Sequence, residues 1–158
     1  MYEIGDFILT YNKGLVPNLI RFGQRLKYKS SDTAKWNHAA IIVSQDGDII
    51  EAMSRGIRRS HISAYGEKVI VDSAASPADR AQMVQFANYC ADTREKYGFV
   101  TFISIAVTLL SRLRMQVSTK HTHICSGLVA DALTRSGVIW DQSPDFVMPA
   151  DLAKKFNL

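Results

Sequence analysis

The sequence predicts an α+β domain. Its strand-like segments fall early and its helix-like segments late, without the alternation that a parallel sheet with crossover helices requires. A length of 158 residues suits one domain with a core of its own, so a single unit over residues 1–158 is expected. With 47% hydrophobic and 22% charged residues and no Pro/Gly/Ser-rich tract or internal repeat, the composition is that of a globular chain, not a disordered or fibrous one.

The elements follow in order. Glu3–Thr10 (EIGDFILT) reads as a strand entered through a Gly-Asp turn, and Val16–Leu26 places Leu19, Ile20, Phe22 and Leu26 at helical spacing behind Pro17. The polar loop KSSDTAKWN leads to HAAIIVS and GDIIEAM, which flank Gln45-Asp46-Gly47. Asp-Gly is a strong hairpin signal, so His38 and Glu51 are expected on paired or adjacent strands. The arginine-rich SRGIRRSHISAYGE reads as a connection, and KVIVDSA as a further Val/Ile-rich strand.

Ser76 as N-cap and Pro77 at the first helical position start a helix expected to reach about Tyr97. A second helix is expected in the apolar run Phe99–Leu110 and on to about Arg112, followed by a loop over Met115–Lys120. Cys125 then opens a helix of roughly Ser126–Ser136 closed by Gly137, and a last short helix follows Pro149-Ala150-Asp151. The run FVTFISIAVTLL is too short to span a bilayer. It is expected to be a buried helix, with a lid or a membrane-contacting surface as the alternative.

A net charge of +4 is a modest excess. The basic clusters, Arg21, Arg25, Lys27 and Lys29 and then Arg55, Arg58 and Arg59, lack the interleaved aromatics of a base-stacking surface, so solvated surface is expected and no nucleic-acid partner. Cys90 and Cys125 cannot make a disulfide framework, and the N-terminus lacks the charged-then-apolar stretch of a signal peptide. A reducing, cytoplasmic compartment is the expectation, with delivery by another route left open.

The chemical question is Cys125. A thiol nucleophile works as a thiolate, so its pKa must be lowered by a helix N-terminus, an adjacent imidazolium, or both. Cys125 lies where a helix begins, with orphan N–H groups and the positive dipole end nearby. Of the candidate bases His38, His61, His121 and His123, the last two are too close in sequence to fold back on Cys125 from a strand directly before its helix. His38 opens a strand, and Glu51, beyond the hairpin turn, could hold its imidazole in the right tautomer. Each residue also has a plain structural reading: Cys125 as core, His38 as a satisfied structural histidine, Glu51 as a solvated strand residue opposite an arginine. A metal site of His121, His123 and Cys125 lacks a fourth ligand at usual spacing, so no metal and no cofactor are expected.

The pieces GDFILT, WNHAAIIV, GDIIEAMSRGIRR, Tyr65, HICSGLVADAL and PADLAKKF, in that order across nearly the whole chain, resemble the circularly permuted NlpC-type papain-fold proteins, the YiiX-like group. In ordinary papain-fold enzymes the cysteine precedes the histidine; here the histidine comes first, as in the permuted group. The resemblance implies a small antiparallel sheet or partial barrel packed against helices, with Cys125 as nucleophile, His38 as base and Glu51 as the residue orienting the imidazole. Tyr97, in EKYGF, is similar to an aromatic that lines the cleft in some relatives and would be a substrate-binding residue. Gly127 stands where many relatives carry an acidic residue after Cys-Ser, and the apolar segment before the cysteine is longer.

The implied activity is that of a cysteine peptidase or amidase cleaving an amide, such as a cell-wall peptide, through a thioester. Two alternatives remain open: a lipid acyl hydrolase or acyltransferase of the lecithin retinol acyltransferase type, and a peptide-binding module without turnover. Substrate and oligomeric state are not read from the sequence.

Overall fold

The computed structural model describes residues 2–12, 18, 21, 24–25, 33–93, 96–97 and 122–158. It is an α+β structure with a five-stranded antiparallel sheet and three α-helices among those residues. The strands are β1 (Phe7–Thr10), β2 (His38–Ile42), β3 (Asp48–Met53), β4 (Gly56–His61) and β5 (Lys68–Val71), in the order β4-β3-β2-β1-β5. The helices are α1 (Pro77–Asp92), α2 (Cys125–Thr134) and α3 (Pro149–Lys155). A short parallel pair, β6 (Lys96–Tyr97) with β7 (Thr122–His123), lies apart from the main sheet.

The central strands are apolar without alternation because both faces of the sheet are covered. One face carries Phe7, Leu9, Ala39, Ile41, Ile50 and Ala52, packed against Met83, Ala87 and Cys90 of α1 and Leu128, Val129 and Leu133 of α2. Met83, Ala87 and Cys90, at i, i+4 and i+7, share the buried face of α1, with Phe86 and Ala91 packed half-buried beside them. The other face carries Ile8, Ala40, Ile42 and Ile49 beneath Tyr65, with Tyr2 and Ile62 packed alongside.

The hairpin between β2 and β3 forms where Asp-Gly predicts it. Gly47 has φ +97°, and a Cβ there would stand 2.9 Å from both His61 Nε2 and Ile62 Cγ2, so the turn needs glycine for its backbone and for its close neighbour. Pairing of Ile41 with Ile50 and Ile42 with Ile49 sets the register. His38 and Ala40 therefore share a face with Ile49 and Glu51.

Several expectations change. The strand at the N-terminus starts at Phe7, not Glu3, because Gly5 at φ +91° still belongs to the turn. The arginine-rich connection contains β4, an edge strand whose residues alternate poorly because only Ile57 among them is buried. The helix expected to reach Tyr97 ends at Asp92, where Thr93 Oγ1 donates to the Tyr89 carbonyl and closes the last turn; Tyr97 lies on β6 instead. The helix after Cys125 includes the cysteine and ends at Thr134, with Gly137 at φ +85° just beyond. The expected helix over 99–112 and the loop over 115–120 lie outside the described residues, as does most of 16–26. Within that last stretch Asn18, Arg21, Gln24 and Arg25 are helical. No helix among the described residues is long and apolar enough to cross a membrane.

Gly127 sits against the turn formed by Pro144–Phe146, where a Cβ would come within 3.2 Å of both Ile124 Cγ1 and the Pro144 carbonyl oxygen. A side chain at this position would press on the Pro144 backbone, so any larger residue requires the turn to give way. Gly127→Glu is expected to lower Tm by about 3–10 °C, the range for overpacking a buried site by about 1–3 kcal/mol in a domain of this size. An unchanged melting curve would show that the turn yields.

Candidate active site

His38 is fixed from behind by its neighbours. The Asn37 side chain clamps the exit of β1, donating through Nδ2 to the Asn12 carbonyl and accepting from Asn12 N–H through Oδ1, both at 2.8 Å, while Asn37 N–H donates to the Thr10 carbonyl. Gln24, fully buried, donates to the Trp36 carbonyl at 2.7 Å and accepts from Ala150 N–H at 2.8 Å. One amide thus ties the early helical residues, the lead-in to β2 and the start of α3. Asn37 and Gln24 were invisible as positioning groups in the sequence, where a polar residue next to an apolar pattern reads as surface.

Glu51 shows no exposed surface, and every direction around its carboxylate is met by a donor. Oε2 accepts from His38 Nε2–H at 2.7 Å and from the Tyr65 hydroxyl, and Oε1 accepts from Arg58 Nε–H at 2.9 Å, with Arg58 Nη2 in ion-pair contact with the same oxygen at 2.9 Å. Tyr65 Oη also stands 3.2 Å from His38 Nε2, with the two rings 5.6 Å apart. Arg58 lies directly across from Glu51 in the β3–β4 register. The expectation that Glu51 is solvated opposite an arginine is therefore half corrected: the arginine is there, but the carboxylate is dry. Arg58 is likewise more than solvated surface, since it supplies the cation that a buried carboxylate requires.

Cys125 is the first residue of α2, and its preceding N-cap, Ile124, offers no side-chain cap. The N–H of Ser126, one of the orphan donors of that first turn, bonds to the sulfur, as does the N–H of Ala39 from β2. His38 completes the set with a side-chain hydrogen bond to Cys125. With Nε2 held by Glu51, Nδ1 is the nitrogen left for the sulfur. Next to it, Ser126 Oγ donates to the Val147 carbonyl at 2.6 Å, which seats the start of α2 on the segment before α3.

The electrostatics follow from this packing. Burial pulls the His38 imidazole down, but the charge of Cys125, its hydrogen bond, and Glu51 outweigh burial and raise it to about 9. Burial pushes Glu51 up, and the hydrogen bonds from His38 and Tyr65, the charge of His38 and the Arg58 contact hold it at about 2. Burial would push the Cys125 thiol up; the charge and hydrogen bond of His38, then the two backbone N–H groups, bring it below its ordinary value. Burial and Glu51 raise the Tyr65 phenol, so it stays a donor at all ordinary pH. The arrangement can hold a thiolate beside an imidazolium at neutral pH.

The structure thus brings Cys125, His38 and Glu51 together, and adds Tyr65 and Arg58. A signal for the two additions existed: an acidic residue inside IIEAM is a charge in an apolar strand and calls for a partner. Tyr97 is on β6 in register with His123, two residues before Cys125; its side chain, like that of His123, is not among the described features, and His121 lies outside the described residues. Among the described residues no group of three or more His, Cys, Asp or Glu could hold a metal ion. His61 is a structural histidine: Nε2–H donates to the Asp46 carbonyl at 2.7 Å and Nδ1 accepts from Ser63 N–H. Compared with known proteins, the chain matches no family model and no curated sequence.

Proposed function

We propose that the protein is a cysteine hydrolase of the peptidase or amidase type, on a circularly permuted papain-like fold of the NlpC class. The observation that supports this reading is the shared burial of Cys125, His38 and Glu51, only 4%, 5% and 0% exposed, with the imidazole bonded to both partners. A sulfur that was only core packing would have no reason to meet an imidazole whose far side is locked by a carboxylate. The order of these residues along the chain, and the resemblance noted above, agree with it.

In the proposed reaction the Cys125 thiolate attacks the amide carbonyl, forming a C–S bond and an oxyanion. Backbone N–H groups at the first turn of α2 stabilise that oxyanion. As the C–N bond breaks, His38 Nδ1 gives its proton to the departing amine, leaving an acyl thioester. Water then adds to the thioester with His38 taking a proton, and the carboxylic acid leaves as the thiolate is restored. The substrate class that suits this reading is a peptide or amide, including cell-wall peptide fragments.

The first test is the pH dependence of iodoacetamide labelling at Cys125, mapped by mass spectrometry with Cys90 as internal control. Cys125 is expected to react at a pH well below the ordinary thiol value of about 8.5 and to lose this in His38→Ala. A Cys125 that labels no faster than Cys90 at any pH short of unfolding would refute the thiolate.

A further inference from the structure

The donors around Glu51 raise a question of balance. A buried carboxylate bonded only to His38 would hold the imidazolium very firmly, and a general acid that cannot release its proton is a poor one. Here two further donors, one from Tyr65 and one from Arg58, share the same carboxylate. The Tyr65 hydroxyl takes Oε2, the same oxygen that His38 uses, and Arg58 takes Oε1 with a hydrogen bond from Nε–H and an ion-pair contact from Nη2.

We propose that Tyr65 and Arg58 are positioning residues that temper the catalytic acid: by drawing on the charge of the Glu51 carboxylate, they weaken its hold on His38 Nε2–H, so that the imidazolium still releases its Nδ1 proton to a leaving group. This inference rests on the thiol hydrolase reading above and says which groups set the strength of its acid. Hydrogen bonds to an ionised group divide its charge among the donors, so removing one strengthens the rest. Arg58 adds a positive charge behind the carboxylate that opposes the imidazolium's own charge. Its side chain is 56% exposed, so the effect of the charge is partly screened by water, and the directional contact to Oε1 carries much of the influence.

Facing His38 are Cys125 from α2, Glu51 from β3 and Tyr65, with Arg58 of β4 acting through Glu51. Across β1 the residue opposite is Thr10, which does not titrate, and beyond it Lys68 of β5 directs its ammonium to the Tyr65 carbonyl at 2.7 Å.

The sign of the effect separates this role from a merely structural one. Loosening the site would let water in and move the imidazolium's loss of its proton down, toward the ordinary histidine value of about 6.5. Removing a charge-sharing donor moves it up. The experiment compares the pH profiles of Cys125 alkylation by iodoacetate and iodoacetamide in the wild type, Tyr65→Phe, Arg58→Gln and Arg58→Lys. The anionic reagent is drawn to the imidazolium and loses its advantage as that charge is lost, so the ratio of the two rates reports His38 without any substrate.

Tyr65→Phe, which keeps the ring, and Arg58→Gln are each expected to shift this alkaline limb upward by about half a unit to one unit. Arg58→Lys should restore most of the wild-type position, and Glu51→Gln should shift the limb downward. A pH titration of the His38 Cε1–H resonance gives the same quantity independently for any variant that labels poorly. An unmoved or lowered limb in folded Tyr65→Phe and Arg58→Gln overturns the tempering role while leaving the hydrolase reading intact. A wild type with no imidazolium-dependent difference between the reagents overturns both.

Discussion

Replacing Cys125 by alanine is expected to abolish hydrolysis, by about 10⁴-fold or more, while leaving a folded protein. The magnitude follows from the proposed role: without the sulfur no acyl intermediate would form, and what would remain is binding and oxyanion stabilisation. The fold should survive because Cys125 to alanine removes one buried sulfur atom, and the hydrogen bond from Ser126 to the Val147 carbonyl still seats the helix start. A second readout goes with it. The charge of Cys125 is the largest influence raising His38, so the imidazole in Cys125→Ala should titrate below the value of about 9 that it has beside the sulfur. Release of amine from muropeptide fragments checks the first effect, and a histidine resonance followed through pH checks the second. Equal turnover by Cys125→Ala and wild type would place the chemistry elsewhere, and stabilisation of both by peptide without any product would favour a binding module.

Glu51→Gln carries the largest expected loss of stability. The neutral amide can accept on one atom only, and its NH2 group must face a donor, so among Arg58, Tyr65 and His38 at least one buried contact becomes repulsive or empty. Breaking a buried, multiply bonded carboxylate in this way costs about 3–5 kcal/mol. In a domain of this size that lowers Tm by about 10 °C or more. The pH dependence has a definite sign. Glu51 is held at about 2 in the folded protein against 4.5 for an ordinary glutamate, so its contribution is fully present above 4.5 and is lost as pH falls from there toward 2. Urea midpoints measured across that window should fall steeply in the wild type and less steeply in Glu51→Gln. Parallel slopes would mean that the carboxylate titrates as an ordinary one.

How much of this was legible in the sequence differs by element. The hairpin was readable because Asp46-Gly47 meets a backbone requirement that few residue pairs meet, and the helix starts at Ser76-Pro77 and Cys125 were readable for the same kind of local reason. The register of that hairpin then places His38 and Glu51 on one face, so two parts of the candidate site follow from local rules. β4 was not readable: an edge strand half in water has no apolar period to show, and its arginines look like any solvated run. Tyr65 and Arg58 as partners of one carboxylate, and Gln24 as a link between three distant segments, depend on tertiary proximity, which neither composition nor period encodes. The end of α1 was misplaced because the first glycine after Asp92 is Gly98, just past the expected end at Tyr97, whereas a threonine folding its hydroxyl back onto the helix marks the actual stop.

The hairpin has a consequence for when the molecule becomes reactive. His38 and Glu51 lie on neighbouring strands only 13 positions apart, so the proton-handling half of the site assembles by a short chain closure. The sulfur arrives from a helix far along the chain, a contact of long sequence separation that forms only when α2 docks on the sheet. Before docking, the thiol has the ordinary acidity of about 8.5 and is mostly protonated at neutral pH. On the proposed reading, a nascent or half-folded chain therefore carries an inert cysteine, and its thiolate is favoured only once α2 has docked.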